Sequence, residues 1–172
     1  MKESKTLNES FVQEIQLLWS AEKLLTEAIP MLIAKAKHPA LKKSLAFHLA
    51  ETDQHKVALE MICKQLGFDH EGNFNTNLKT ILDEGEKAIS KVQAEESLDE
   101  TIIEGALKVE QFEMAAYESA ATTAEKLAYK PIASRLRLIR EEEQQADTKL
   151  NFLAKEVVKT KVPLEEEMMM ES

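Results

Sequence analysis

Apolar residues recur along this chain at alternating steps of three and four, the period of one packed face of an α-helix. The first stripe reads Phe11, Ile15, Leu18, Glu22, Leu25, Ile29, Leu32, and Thr6-Leu7-Asn8-Glu9 ahead of it has the form of a capping box. Pro30 falls late in this helix and is expected to kink it, because an interior proline removes a hydrogen bond and crowds the preceding turn. The segment "AKHPALKKS" is a tight connection, with Pro39 suited to the first turn of a second helix. That helix carries Leu41, Leu45, His48, Glu51 or Thr52, His55, Leu59, Ile62 and Leu66, and stops at Gly67. So short a link makes the two helices antiparallel neighbours.

Next, "FDHEGNFNTN" is turn-forming, and residues 77–92 read as a shorter helix. A second capping box, Ser97-Leu98-Asp99-Glu100, opens a third long helix with the stripe Ile103, Ala106, Glu110, Glu113, Tyr117, Ala120, Ala124, Leu127. "LAYKP" separates it from a fourth, where Pro131 sits near the start and the stripe is Ile132, Leu136, Ile139, Glu143, Ala146, Leu150, Leu153, Val157. Two hairpins joined by one long connection predict an all-α fold: a ferritin-like four-helix bundle whose crossover carries a short fifth helix. The bundle is expected to occupy residues 1–160, and "LEEEMMMES" beyond Pro163, which has no periodicity, to form part of an exposed tail over 161–172.

Composition agrees. A chain of 172 residues, 44% apolar, can build one core and hardly two, and four glycines leave little room for tight hairpins or a phosphate-cradling loop. The net charge of -9 and pI near 5.1 argue against nucleic acid, whose phosphates need clustered Lys and Arg. Cys63 has no internal partner and is read as a small core residue; no apolar run approaches the roughly 18 residues of a membrane span, and no signal peptide opens the chain. The expected compartment is the cytoplasm.

What stands out is an acid in or beside every apolar stripe: Glu22, Glu51, Glu110 or Glu113, and Glu143. Counted from hairpin turns near residues 38 and 129, Glu22 and Glu51 lie 16 and 13 residues away, and Glu113 and Glu143 lie 16 and 14. At about 1.5 Å per residue these offsets agree within roughly one turn, so the carboxylates fall in one layer. His55 follows Glu51, and Asp147 follows Glu143, by one helical turn, so each pair can converge on one point. An isolated buried carboxylate costs several kcal/mol, so the layer needs cations. Lys23, Lys108, Arg137 and Arg140 all sit off the stripes, which disfavours a buried salt-bridge network; oxygen donors with imidazole suit iron or manganese. Two metal ions are therefore expected, held by Glu22, Glu51, His55, Glu110, Glu113, Glu143 and Asp147. His48 is read as a supporting partner and not a ligand, Tyr117 as a core residue able to give a proton or electron, and Glu141 and Glu142 as solvated.

The stretches "LLWSAEKLLTEAIP", "HLAETDQH", "KVEQFEMAAY" and "REEEQQADTKL" together resemble the YciE/YciF family of ferritin-like proteins over about residues 6–158. The resemblance implies a five-helix subunit, usually a homodimer, with a rubrerythrin-like di-metal carboxylate centre and a link to bacterial stress. By motif position it places ligands at Glu22, Glu51, Glu110 or Glu113, and Glu143. The chain departs from the usual ferritin-like pattern in its Glu51-x-x-x-His55 spacing, in Asp147 where a histidine is expected, and in Ala50 ahead of Glu51. The expected function is reaction with peroxide or oxygen, or oxidation of Fe(II). No four-cysteine rubredoxin-like segment is present, so electrons would come from a separate donor. The alternative is a non-catalytic metal-binding or scaffold protein acting through a dimer surface.

Overall fold

The structure, a computed structural model, describes residues 6–159; the tail expected over 161–172 lies outside them. Its helices are α1 (Leu7–Lys35), α2 (Pro39–Leu66), α3 (Thr76–Ser90), α4 (Leu98–Lys126) and α5 (Lys130–Lys159), with one 3-10 turn at Glu95–Ser97. The fold is the expected all-α bundle, and no strand occurs among the described residues.

Local chemistry sets the helix ends. Thr6 accepts from the Glu9 amide at 3.1 Å while the Glu9 carboxylate accepts from the Thr6 amide, so both halves of the capping box are made. Pro39 occupies the first turn of α2, where its missing N–H costs nothing, and the His38 ring accepts from the Ala40 amide. Gly67 ends α2 at φ 79°, a left-handed conformation that suits a residue without Cβ. The helix α1 runs through Pro30 without a break.

The second capping box does not form. Ser97 closes the 3-10 turn with φ -93° and ψ -4°, too helical for its hydroxyl to cap α4, and its side chain makes no capping bond. Asp99, in the first turn of α4, has a different role. Its two oxygens accept from the Lys37 and His38 amides at 2.8 and 2.9 Å, so the start of α4 ties down the α1–α2 turn. Because α4 begins at the end of the bundle where α1 hands over to α2, it runs parallel to α2 and antiparallel to α1. The crossover is fixed at its other end by α1: Gln16 donates to the Asp69 and Glu71 carbonyls, the Ser20 hydroxyl accepts from the Asn75 amide, and Asn75 caps α3.

The core falls into two apolar clusters. One, built on Phe11, Ile15, Leu59, Ala120, Leu136 and Ile139, fills the end nearer the α4–α5 turn. The other, built on Leu25, Leu41, Leu45, Ile102, Ile103 and Leu150, fills the opposite end. Along α1, α4 and α5 the switch falls at Glu22, at Glu110 and Glu113, and at Glu143; along α2 it falls between Leu45 and Ala58. A polar layer therefore divides the bundle across its middle.

Because Asp99 joins α4 to the first hairpin while 7% exposed, Asp99→Ala is expected to cost about 2–3 kcal/mol and lower Tm by roughly 5–10 °C. Thermal unfolding followed by circular dichroism checks this, and an unchanged Tm would show that the two bonds carry no weight.

Candidate metal centre

The dividing layer is made by six side chains from four helices: Glu22 on α1, His48 and His55 on α2, Glu110 and Glu113 on α4, Glu143 on α5. Their donor atoms form two groups, each with all atoms within 4.8 Å of one another. Glu22, His55 and Glu143 make the first; His48, Glu110, Glu113 and Glu143 make the second. Glu143 belongs to both. Glu22, Glu113 and Glu143 are 0% exposed, and the other three are buried or nearly so.

The ordinary ways of satisfying buried acids are largely missing. Glu22 has one partner of this kind, since the Tyr117 hydroxyl donates to its Oε1 at 2.6 Å. Both oxygens of Glu113, both of Glu143, and Oε2 of Glu22 and of Glu110 are buried without a hydrogen bond. His48 Nε2 stands 3.0 Å from Glu110 Oε1, and His55 Nδ1 stands 3.1 Å from Glu143 Oε1 and 3.7 Å from Glu22 Oε1, in each case without the alignment of a hydrogen bond. No lysine or arginine among the described residues pairs with the layer; Arg137 and Arg140 instead bridge to Glu118 and Glu125 on the bundle surface. Native proteins leave few buried polar atoms unpaired, and here they cluster around one spot.

His55 has a supporting partner. Its Nε2 donates to Glu142 at 2.9 Å, which leaves Nδ1 facing Glu22 and Glu143. A carboxylate that fixes one ring nitrogen so that the other can ligate is the usual outer support of a metal-bound histidine. Glu142 is half-buried in this role rather than solvated.

Two expected ligands stand outside both groups. Glu51 is half-buried beside His48, Glu110 and Glu142 at the edge of a cavity of about 30 Å³ between α2 and α5. Thr52, next in sequence, holds the buried position on the stripe and bonds back to the His48 carbonyl. Asp147 is also half-buried; Oδ1 accepts from Asn151 while Oδ2 is buried and unpaired. His48, read from sequence as a supporting residue, lies inside the second group. The signal for it is present in the chain: Leu45, His48, Thr52, His55, Leu59 and Ile62 keep an unbroken step of three and four, and Glu51 interrupts it.

Without metal, protons must balance the layer. Burial, reinforced by Glu143, pushes the Glu110 carboxyl up to about 12, and burial with Glu143 and Glu22 holds Glu113 well above its ordinary value. Burial opposes ionisation of Glu143 as well, but the proton on Glu110 and the His55 ring outweigh it and lower its pKa to about 2. Burial likewise works against a charged His55, and Glu143 and Glu22 together reverse the balance, raising it to about 11. The Tyr117 phenol is pushed up by burial and by Glu22. The metal-free layer thus holds an imidazolium–carboxylate pair and protonated glutamates.

A family profile described as "Domain of unknown function (DUF892)" matches residues 6–163. The chain belongs to the DUF892 family. It is 30% identical over 156 residues to Protein YciF of Escherichia coli strain K12, covering 87% of this chain and 91% of the relative. The crystal structure of the E. coli stress protein YciF superposes with a TM-score of 0.87 at 29% identity, over 92% of this chain and 100% of that one. YcfI of Rhodopseudomonas palustris superposes at 0.83 with 27% identity, over 87% and 96%. A Xanthomonas campestris protein at 17% identity and a TM-score of 0.72 shares the fold. The YciF likeness carried by the four acidic segments therefore extends over most of the chain. No helix among the described residues is long and apolar enough to cross a membrane.

The proton balance generates a test. Glu113 keeps its proton in the folded metal-free chain at pH values where the unfolded chain, with its ordinary value of 4.5, has lost it. The folded state then binds more protons, so this group's contribution to stability is full below about pH 4.5 and is lost as pH rises. Glu113→Gln removes that dependence: metal-free Tm is expected to rise by a few degrees at pH 8 and to change little at pH 4.5, while protection by Mn(II) weakens. Differential scanning fluorimetry at both pH values, with and without Mn(II), reads all of these. A drop in metal-free Tm at pH 8 would mean that Glu113 is ionised and paired in the fold.

Proposed function

We propose that this chain is a di-metal carboxylate protein of the bacterial stress response that holds two iron ions, with manganese as the alternative, and reacts with peroxide or oxygen or oxidises Fe(II). The observation that carries this reading is the layer itself: donor atoms from four helices, buried and mostly unpaired, meet with no lysine or arginine among them. Four carboxylates and two imidazoles fit iron or manganese better than a closed zinc site. Glu22, His55 and Glu143 would hold one ion; His48, Glu110, Glu113 and Glu143 the other. The stress link is suggested by the name given to the E. coli relative.

When bound, such ions supply redox equivalents and Lewis acidity. The chain supplies the rest. Glu142 orients His55, the apolar clusters cover the layer at either end, and Tyr117 holds a proton at Glu22, where it can be given up inward and restored. Glu51 and Asp147, half-buried next to the layer, are placed to add a carboxylate as the coordination demands. Cys63 is buried and single, so electrons would reach the site from a separate donor.

A second reading, a non-catalytic scaffold working through a homodimer surface, draws support from Phe47, Val57 and Met61, which stand exposed in line on α2, with Leu138 and Phe152 exposed on α5. Turnover separates the two.

Fe(II) added anaerobically to metal-free protein is expected to bind at two ions per chain and to release up to three protons at pH 7, from Glu110, Glu113 and His55. Glu143→Ala, which removes the ligand common to both groups, should leave at most one ion and abolish peroxide consumption while helicity stays unchanged. Elemental analysis, calorimetry in buffers of different ionisation enthalpy and peroxide assays read these outcomes. Two ions retained in Glu143→Ala, or none bound by the parent protein, would sink the proposal; full binding without turnover would favour the scaffold.

A further inference from the structure

A cavity of about 240 Å³ lies between α1, α3 and α4. Its walls are mainly apolar, with Leu25 and Ile29 from α1, Ile81 and Ile89 from α3, and Ile102 and Val109 from α4, while Glu27, Lys35, Lys79, Asp83 and Glu86 bring charge to the lining. His48 and Glu110 line its inner end. Open space of this size against aliphatic walls forfeits packing contacts, and water gains little there because it needs two to four polar partners.

Two glycines help to make the space. Gly85 and Gly105 both line it, in the interiors of α3 and α4, where glycine disfavours the helix relative to alanine. Neither has the positive φ of Gly67 and Gly72, so the backbone does not require them. Close packing does not require them either. A Cβ on Gly105 would come no nearer than 4.0 Å to its closest neighbour, the Gly85 Cα, and a Cβ on Gly85 would meet nothing within 4 Å. What side chains at these positions would do is fill the cavity.

We infer that this cavity is a binding site for a neutral amphipathic molecule, a hydrocarbon body with one uncharged oxygen-bearing end directed at His48 and Glu110. The size follows from the volume: a cavity of about 150 Å³ takes benzene, so about 240 Å³ takes roughly ten non-hydrogen atoms. The end group follows from the floor. His48 Nδ1 and Glu110 Oε2 are buried without partners, and a hydroxyl can donate to one and accept from the other. A carboxylate end would have to give up its water among aliphatic walls with ionised Glu143 behind the floor, while the cavity's two lysines, Lys35 and Lys79, are exposed residues. At the mouth Lys79 is already engaged by Asp83 at 2.8 Å. The inference concerns the metal-free chain, in which His48 Nδ1 and Glu110 Oε2 are unpaired.

The test uses the full-length metal-free protein with 1-octanol as probe, titrated calorimetrically, and octanoate at pH 8 as the charged counterpart. Octanol is expected to bind saturably at one site and octanoate at least tenfold more weakly. Gly105→Leu and, independently, Ala28→Phe, a half-buried position on the cavity wall, should each weaken octanol binding at least tenfold with helicity retained. Gly105→Ala should raise Tm by about 2–4 °C, since the methyl group meets no close neighbour. Absence of saturable octanol binding, octanoate binding as tight as octanol, or undiminished binding in both filled variants would overturn the proposal. A Tm lowered by Gly105→Ala would overturn the argument from the glycines.

Discussion

Everything in this bundle is organised around the cost of keeping charge out of water. Four carboxylates and two imidazoles share one layer, with apolar clusters on either side that admit no lysine or arginine. Each anion left alone there would cost several kcal/mol, and a domain of this size has a total stability of only about 5–15 kcal/mol. The layer can exist only if positive charge enters with it, as protons or as metal ions. That requirement explains why the acids are gathered and not scattered: a single ion or a shared proton can serve several carboxylates only when they meet. It also explains the devices that hold the four helices in register. Asp99 clamps the α1–α2 turn to α4, and Gln16 and Ser20 hold the crossover to α1, so the four contributions arrive at the same height.

Much of this was legible in the chain, for physical reasons. The step of three and four survives because every long helix buries one face, and the hairpin turns announce themselves through Pro39 and Pro131, residues that suit a first helical turn and little else. The acid layer could be found by counting from those turns because helical rise is constant. Two things were harder to read. Ser97-Leu98-Asp99-Glu100 has the letters of a capping box, yet the preceding 3-10 turn gives Ser97 a helical backbone and frees Asp99 for a contact 61 residues away. Local propensity cannot report such a contact. On α2, Glu51 and Thr52 are adjacent, and a step of either three or four keeps one of them in the stripe; which one points inward depends on packing against α5.

That choice on α2 matters to the chemistry. With Thr52 in the seam, α2 contributes two imidazoles one on each side of it, and its acid is displaced to the edge beside Glu142. The layer therefore contains a donor set different from one acid per helix. Imidazole donors bring no charge of their own when neutral, so they lower the number of anions that ions must compensate. They also bring a second nitrogen, which the fold uses: Glu142 on α5 engages His55 Nε2 and fixes the direction of Nδ1. An acid on α5 that neighbours Glu143 in sequence but not in orientation thus serves the same layer from outside.

Protons alone can balance the layer, and this allows the chain to fold without metal. In the metal-free chain, burial and mutual repulsion keep Glu110 and Glu113 protonated, while His55 and Glu143 neutralise one another. No unbalanced pair of anions then opposes collapse of the two apolar clusters. The protonated form still leaves buried oxygens short of partners, since Glu143 is served by the Glu110 proton and the His55 ring while no hydroxyl, amide or cationic side chain reaches Glu113. A network satisfied by its own side chains would have no reason to exchange its protons. One that lacks cations but retains buried, unpaired oxygens has such a reason, because ions gain ligands without first breaking strong internal bonds. Among the described residues no lysine or arginine pairs with the layer, so the positive charge it needs is left to protons or to ions.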